Sequence, residues 1–182
     1  MLFRSIAVKK TRPSLLRFLS PAIAAMAVIL LCAVWLRSPN RADALSEVAD
    51  LHVTALASAN PVDVVSTDRH TVKPWFQGRI PFSFNLPEFA GTEFTLLGGR
   101  LVYFRQQPGA QLIVAMRQHK ISVLILQDSA QLASSLPRSN AVQQLSFNVS
   151  TWPSHHLRFF VVGDVEPAGV AKLAELMERA NP

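Results

Sequence analysis

Few residues of this sequence could perform chemistry, and their spacing matches no familiar metal-binding pattern. The chain has five histidines and one cysteine. The histidines form neither an HExxH motif nor an HxH pair with a nearby carboxylate, and His155-His156 is predicted to be a solvated turn. One cysteine excludes an intramolecular disulfide, a CxxC redox centre and a zinc site built on two or more cysteines. We therefore expect no metal ion.

Catalytic groups are equally sparse. Asp68 and His70 could supply two-thirds of a serine triad, but a chain this rich in serine offers that combination by chance. Twelve acidic residues are scattered singly, which gives no paired-carboxylate signal. The GxSxG, Walker and GxGxxG motifs are missing from the sequence, and Gly98-Gly99 indicates only a bent or closely approached backbone. We expect a protein that is not an enzyme and binds no cofactor.

The cluster that stands out is Lys73-Pro74-Trp75-Phe76, two large aromatic residues in a segment bounded by prolines. One interpretation is that the aromatic rings cap the apolar face of a sheet. The other is that the four residues form an exposed hot spot for a partner or ligand. Since one of two adjacent side chains usually points outward, packing predicts a larger loss of stability for Trp75→Ala than for Phe76→Ala.

The positive charge of the chain lies mostly at its N-terminus. Of a net charge of +6, residues 1–17 supply five basic side chains and no acid, which argues against a basic face that binds nucleic acid. The 19 residues from Phe18 to Leu36 carry no charge. As a helix they would be about 28 Å long, close to the thickness of a hydrocarbon core. The positive-inside rule then predicts a cytoplasmic tail (1–17), a transmembrane helix (18–36) and an external remainder.

A cleaved signal peptide is the main alternative to this anchor. Ala42-Asp43-Ala44 has the A-x-A form of a cleavage site. The apolar run is longer than a typical signal-peptide core, however, and eight residues including Arg37 and Arg41 separate Leu36 from Leu45. The uncleaved anchor is therefore the preferred prediction.

The segment 37–60 is predicted to be a membrane-proximal amphipathic helix. Apolar residues recur at three- and four-residue spacing from Leu45 to Ala59, and Asn60-Pro61 ends the pattern. Two interpretations remain open. The helix packs on its own domain, or it associates with a second copy and makes the protein a homodimer.

Residues 61–182 are predicted to form an α+β domain. The segment 61–92 contains four prolines and no sustained period, which indicates irregular structure. From Phe94 to Gln127 a period of two predicts an antiparallel meander with turns at Pro108-Gly109 and Gln118-His119. The strands are apolar on both faces and should be covered on both sides.

The end of the chain completes this prediction. A hairpin over 142–162 follows a polar loop (128–140) and brings the sheet to about five strands. A helix then runs from about Pro167 to Ala180, with Asp164 as its cap. Its predicted buried stripe consists of Val170, Leu173, Ala174 and Met177.

Three long motifs resemble those of bacterial transmembrane anti-sigma factors. They are Asp68–Arg79 (DRHTVKPWFQGR), Phe94–Tyr103 (FTLLGGRLVY) and the stretch from Phe147 through Trp152 to Asp164. The motifs fall in the family's order, over roughly residues 40–180. The resemblance implies a protein of the bacterial inner membrane with a single pass. Its periplasmic domain would sense envelope conditions, and a cytoplasmic domain would hold a sigma factor off RNA polymerase.

The sequence departs from that family before the membrane segment. The family's sigma-binding domain usually carries an HxxxCxxC zinc motif, whereas residues 1–17 contain neither histidine nor cysteine. A tail of this length is also too short for a stable core. The cytoplasmic inhibitory domain of the family is therefore not recognisable in this chain.

Residues and resemblance together predict a non-enzymatic, anti-sigma-factor-like regulator anchored in the membrane. Its expected partners are the lipid bilayer, a sigma factor reached directly or through another chain, and a periplasmic protein or protease. The alternative is an anchored periplasmic binding or assembly module with no role in transcription.

Overall fold

A computed structural model describes residues 23, 25–32, 41–136, 140–144 and 146–182. The chain divides into two compact units, Met1–Ser38 and Pro39–Pro182. In the first unit, residue 23 and residues 25–32 are helical. The predicted tail and the rest of the predicted transmembrane segment (18–36) lie outside the described residues. Among the residues described, none of the helices has both the length and the apolar character needed to cross a membrane.

The second unit contains one sheet and the helices that cover it. The helices are α1 (Arg41–Ala57), α2 (Arg69–Trp75), α3 (Ala130–Ser135) and α4 (Pro167–Ala180). The strands are β1 (Val64–Val65), β2 (Phe94–Phe104), β3 (Gln107–Met116), β4 (His119–Gln127), β5 (Asn140–Gln144), β6 (Phe147–Ser154) and β7 (Leu157–Gly163). Their order in the sheet is β1-β2-β3-β4-β7-β6-β5, and every neighbouring pair is antiparallel. The predicted α+β class, antiparallel sheet and C-terminal helix are confirmed.

The predicted number of about five strands is wrong, because the described sheet has seven. One of the additional strands, β1, has only two residues and is too short to show a period. The other arises because the chain reverses around Ser146, so that β5 and β6 pair where one strand was predicted over 142–150.

Both predicted turns of the meander are displaced. The first lies at Arg105-Gln106, where both residues have positive φ (48° and 66°), and Pro108 and Gly109 belong to β3. Two consecutive left-handed residues match the twist of a two-residue hairpin, and this geometry decides the turn in place of the Pro-Gly pair. The second turn is Arg117-Gln118, one residue earlier than predicted, because Met116 pairs with His119.

The sheet is buried on both faces, as predicted. On one face, a hydrophobic cluster is formed by the sheet, α2, α4 and the irregular segment 80–89, which contributes Phe84, Leu86 and Phe89. A second cluster joins the opposite face to α1 and α3. The helix α1 packs on the sheet of its own unit, with Leu45 and Val48 in this second cluster.

The C-terminal helix has the predicted bounds and the predicted stripe, since Val170, Leu173, Ala174 and Met177 are all buried. The predicted cap at Asp164 is wrong. The helix begins at Pro167, Glu166 holds the N-cap position, and no side chain caps the first turn. Proline sets this start, because its fixed φ and missing N–H suit the first helical position.

Candidate functional site

The cluster Lys73-Pro74-Trp75-Phe76 lies at the end of a helix, which corrects the prediction of an irregular segment. Asp68 caps α2, and its Oδ1 accepts a hydrogen bond of 2.8 Å from the backbone N–H of His70. The seven residues of α2 are too few to show a helical period, and Pro74 inside the helix argues for a loop. The cap was the available signal, since Asp stands directly before the first helical residue.

Phe76 is a packing residue. Its side chain is 2% exposed, and its ring lies 5.4 Å from that of Phe84 between centroids. On β2, a Cβ added to Gly99 would lie 2.8 Å from two carbon atoms of the Phe76 ring. Glycine at position 99 therefore makes room for Phe76 on the sheet.

The prediction that Trp75 is the inward residue of the pair is wrong. Trp75 is half-buried, whereas Phe76 and Val72 are buried. Because Val72 and Phe76 are four residues apart, helical geometry places them on the same inward face. A period of two residues along an extended loop cannot show this relation.

The outer surface of Trp75 is also partly covered. The guanidinium carbon of Arg79 lies 4.5 Å from the centroid of the Trp75 ring, in cation–π geometry. The Arg79 side chain also donates a hydrogen bond to the Trp75 carbonyl oxygen. Trp75 and Phe76 therefore belong to the packing of α2 on the sheet. The four residues do not form the single exposed hot spot of the second interpretation.

Lys73 and Pro74 line a surface cleft of about 420 Å³, which we call the α2 cleft. Its other lining residues are Arg69, His70, Asn85, Leu86, Pro87 and Ala180. Leu86 and Pro87 are buried and form an apolar floor, while the basic side chains lie toward solvent. No acidic residue belongs to this lining. The cleft thus combines positive charge with an apolar surface.

The basic side chains of the cleft are held in place by polar contacts. Lys73 Nζ donates to Asn85 Oδ1 at 2.7 Å, and in the described part of the chain it forms no ion pair. Arg69 donates to the Leu86 carbonyl at 3.5 Å and lies 3.6 Å from the exposed carboxylate of Glu88. The positive charge of Lys73 is therefore not neutralised by a described carboxylate, and it can attract an anionic group.

The far wall of the α2 cleft is fixed to the end of α4. The backbone N–H of Asn85 donates to Asn181 Oδ1 at 2.7 Å, and Asn181 Nδ2 donates to the backbone carbonyl oxygen of Asn85 at 3.0 Å. Asn181 also donates to the carbonyl oxygen of Met177 in α4, at 2.9 Å. The cleft is therefore a preformed feature of the fold.

The other histidines lie in separate places. His155 and His156 form the exposed turn between β6 and β7, as predicted. His119 lies 3.2 Å from Asp164 in an exposed pair. Asp68 uses its carboxylate on the backbone N–H of His70, so it does not orient the imidazole as a triad would. Within the described ranges, no group of three or more histidine, cysteine or acidic side chains could hold a metal ion.

A buried polar network lies beneath α1, and the sequence pattern does not predict it. His52, Gln111 and Ser122 are each 0% exposed. Ser122 Oγ lies 2.7 Å from His52 Nδ1 and accepts a hydrogen bond of 2.9 Å from Gln111 Nε2. The sequence signals only the burial of His52, which follows Val48 by four residues on the inward stripe of the predicted helix.

Burial lowers the pKa of His52 from 6.5 to about 4, and the negative charge of Asp164 opposes this shift. The imidazole is therefore neutral at pH 7. Neutral histidine at a helix–sheet contact is a structural group at that pH, and it acquires a charge only in acid.

No protein-family model and no curated protein matches the sequence.

Proposed function

We propose that this chain is a membrane-anchored regulator of the anti-sigma-factor type. Residues 1–17 would lie in the cytoplasm, 18–36 would cross the inner membrane, and the unit from Pro39 to Pro182 would lie in the periplasm. That unit would sense envelope conditions or bind a partner there. Its response, a conformational change or proteolysis, would pass through α1 toward the membrane segment.

The packing of Phe76 on Gly99 carries this proposal. These residues come from two different motifs of the resemblance, and the fold places them in contact. In the same region, Gly98 has a φ of 146°, and a Cβ there would lie 2.0 Å from the Val64 carbonyl oxygen. The motif residues are thus ones that the close packing of this fold requires. This supports a resemblance of the whole domain rather than a chance match of short sequence segments.

The third motif supports the proposal in the same way. The rings of Trp152 and Phe159 are stacked with centroids 5.1 Å apart. Asn148 Nδ2 donates to the Val165 carbonyl at 2.8 Å and ties β6 to the segment before α4. Residues of this motif therefore contact one another across β6 and β7 and fix the position of the C-terminal helix.

Gene deletion tests the regulatory role. Without the chain, transcripts of one set of promoters that share a recognition element should change, and the full-length chain should restore them. Gly99→Val should fail to complement, because the added side chain collides with Phe76. Thr54→Ala, at an exposed position of α1, should complement fully. Unchanged transcripts under both normal and envelope-stress growth would rule the regulator out.

The α2 cleft favours a second candidate, a periplasmic binding module for an anionic partner. Lys73 and Arg69 supply positive charge above an apolar floor, which suits an acidic peptide with an apolar side chain. A fluorescent acidic peptide should bind the full-length protein, and Lys73→Ala should weaken it roughly tenfold, the loss of one charge-assisted hydrogen bond. Lys120→Ala, an exposed lysine outside the cleft, should leave binding unchanged. Equal weakening by both variants would mean nonspecific attraction.

A further inference from the structure

The polar network beneath α1 connects the helix to two strands. Gln111 of β3 donates to the Leu51 carbonyl oxygen at 3.3 Å and to Ser122 Oγ of β4 at 2.9 Å. Ser122 Oγ lies 2.7 Å from His52 Nδ1. The three side chains are fully buried, so water cannot replace a bond that is lost.

The contacts of this network fix the orientation of the Gln111 amide. A carbonyl oxygen only accepts, so the contact with Leu51 requires the amide nitrogen of Gln111 on that side, and Gln111 also donates to Ser122. The hydroxyl group of Ser122 donates to His52 Nδ1 in one tautomer of the ring and accepts from it in the other. In both tautomers, Nδ1 is the only ring nitrogen with a hydrogen-bond partner among the described residues.

A second proton on His52 has no favourable place in the docked helix. If Nδ1 is the unprotonated nitrogen, the second proton meets the hydroxyl proton of Ser122 there; if Nε2 is unprotonated, the second proton binds at a nitrogen that has no acceptor nearby. The other ring nitrogen, Nε2, is buried without a hydrogen-bond partner in the described structure. The ring also contacts Phe147 edge to face, with centroids 5.0 Å apart. An imidazolium here would be a buried charge without a nearby acceptor.

Among the described residues, no charged group provides a counter-ion in contact with the ring. On β2, Arg100 pairs in register with Gln111 and thus lies on the same face of the sheet. Its Nε and Nη1 atoms are buried without a partner in the described residues. Arg100 is a cation, so it opposes a second positive charge. Asp164, beyond β7, is the acid that favours protonation, and burial outweighs it.

The other charged side chains that the structure describes on α1 and on the elements packed against it are occupied or exposed. Arg158 of β7 donates to Asp128, with 3.1 Å between Nη2 and Oδ2, and Lys120 of β4 is exposed. On α1 itself, Glu47 pairs with Arg105, and Asp50 is exposed. The sequences of α3 and β5 contain no ionisable side chain.

We propose that proton uptake by His52 releases α1 from the sheet, so that the domain responds to acidification of its surroundings. The release is a property of the unit Pro39–Pro182, whereas its use as a signal toward the membrane rests on the proposed function. The equilibrium between docked and released helix should shift roughly 100-fold toward release between pH 7 and pH 4, given the difference between the pKa of buried and of solvated histidine.

Thiol accessibility measures the release in the full-length protein. Cys32→Ser removes the native cysteine, and single cysteines then replace Val48 (buried in α1), Thr54 (exposed in α1) or Val123 (buried in β4 on the opposite face). A dithiodipyridine reagent, which reacts with thiols in acid, labels each protein from pH 7 to pH 4. The rate at position 48 relative to that at position 54 cancels the intrinsic pH dependence of the reaction.

The proposal expects the 48-to-54 ratio to rise roughly 100-fold toward pH 4. His52→Asn keeps an acceptor oxygen near the place of Nδ1 and cannot titrate, so its ratio should stay constant. If His52→Asn does not fold, His52→Leu serves the same purpose. A ratio that stays constant in the His52 protein overturns the proposal. Labelling at position 123 in step with position 48 also overturns it, because acid would then unfold the whole unit.

Discussion

At the scale of residues, the two adjacent aromatic side chains have different roles. Phe76 fills the space that Gly99 leaves on β2, and Trp75 lies half-buried beneath the guanidinium of Arg79. Removal of the Phe76 ring leaves a buried void that the sheet cannot close. Removal of the Trp75 ring leaves a space that is open to solvent.

We therefore expect Phe76→Ala to lower the free energy of unfolding by about 3–5 kcal/mol. Trp75→Ala should cost about 1–2 kcal/mol, since only part of its ring is buried. Denaturant unfolding of both variants measures the difference. The reverse order of losses would contradict the packing of α2 described above.

Histidine 52 gives a pH dependence of stability whose sign follows from its lowered pKa. The unfolded chain binds a proton near pH 6.5, and the folded chain only near pH 4. Stability from this group is fully present above pH 6.5 and is lost as the pH falls toward 4, by about 3 kcal/mol in all. Unfolding curves at several pH values for the wild type and His52→Asn isolate the contribution of His52. The carboxylates titrate in both proteins, so their contribution cancels in the difference. Parallel pH profiles of the two proteins would exclude it.

At the scale of elements, the sequence was informative where a period extends over several turns or strands. The buried stripe of α4 and the two-residue period of β3 and β4 predicted where these three elements lie along the chain. The short elements α2, α3 and β1 have two to seven residues, which is too few for a local pattern to predict them. Their structure depends on long-range contacts, such as Phe76 with Gly99, which no local pattern contains.

The candidate site was predictable only in part. Lys73 and Pro74 do line a cleft together with Arg69 and His70 of the same helix, but its remaining residues come from 85–87 and from the end of α4, distant in sequence. The buried network of His52 was equally hidden, since its partners Gln111 and Ser122 are single polar residues in apolar strands. Only the register of the sheet brings them together.

The turn between β2 and β3 provides a test at this scale. Arg105 and Gln106 both have positive φ, which costs a side-chain-bearing residue about 1 kcal/mol. Gln106→Gly should therefore stabilise the protein by about 0.5–1 kcal/mol, measured by chemical denaturation. The control is Gln118→Gly in the next turn, where Arg117 rather than Gln118 has positive φ. An equal gain from both substitutions would contradict the assigned turn.

At the scale of the whole molecule, the proposed topology makes its own prediction. With five basic residues on the cytoplasmic side, the end of the chain should lie outside the inner membrane. A reporter that is active only in the periplasm, fused after Pro182, should be active, and a cytoplasmic reporter at the same position should not. Activity of the cytoplasmic reporter alone would rule out both proposed functions, the regulator and the periplasmic binding module.

The strand order has a consequence for how the domain is completed during synthesis. The strand β7 lies in the interior of the sheet, between β4 and β6, although it is the last of the seven described strands along the chain. Until it arrives, β4 is an unpaired apolar edge, and its Ile121, Val123 and Ile125 have no cover from α4. A nascent or truncated chain that stops before Leu157 would therefore be prone to aggregation and would be a natural substrate for chaperones and quality-control proteases. The strand β7 therefore closes the sheet, and β4 keeps an exposed apolar edge until β7 has been synthesised.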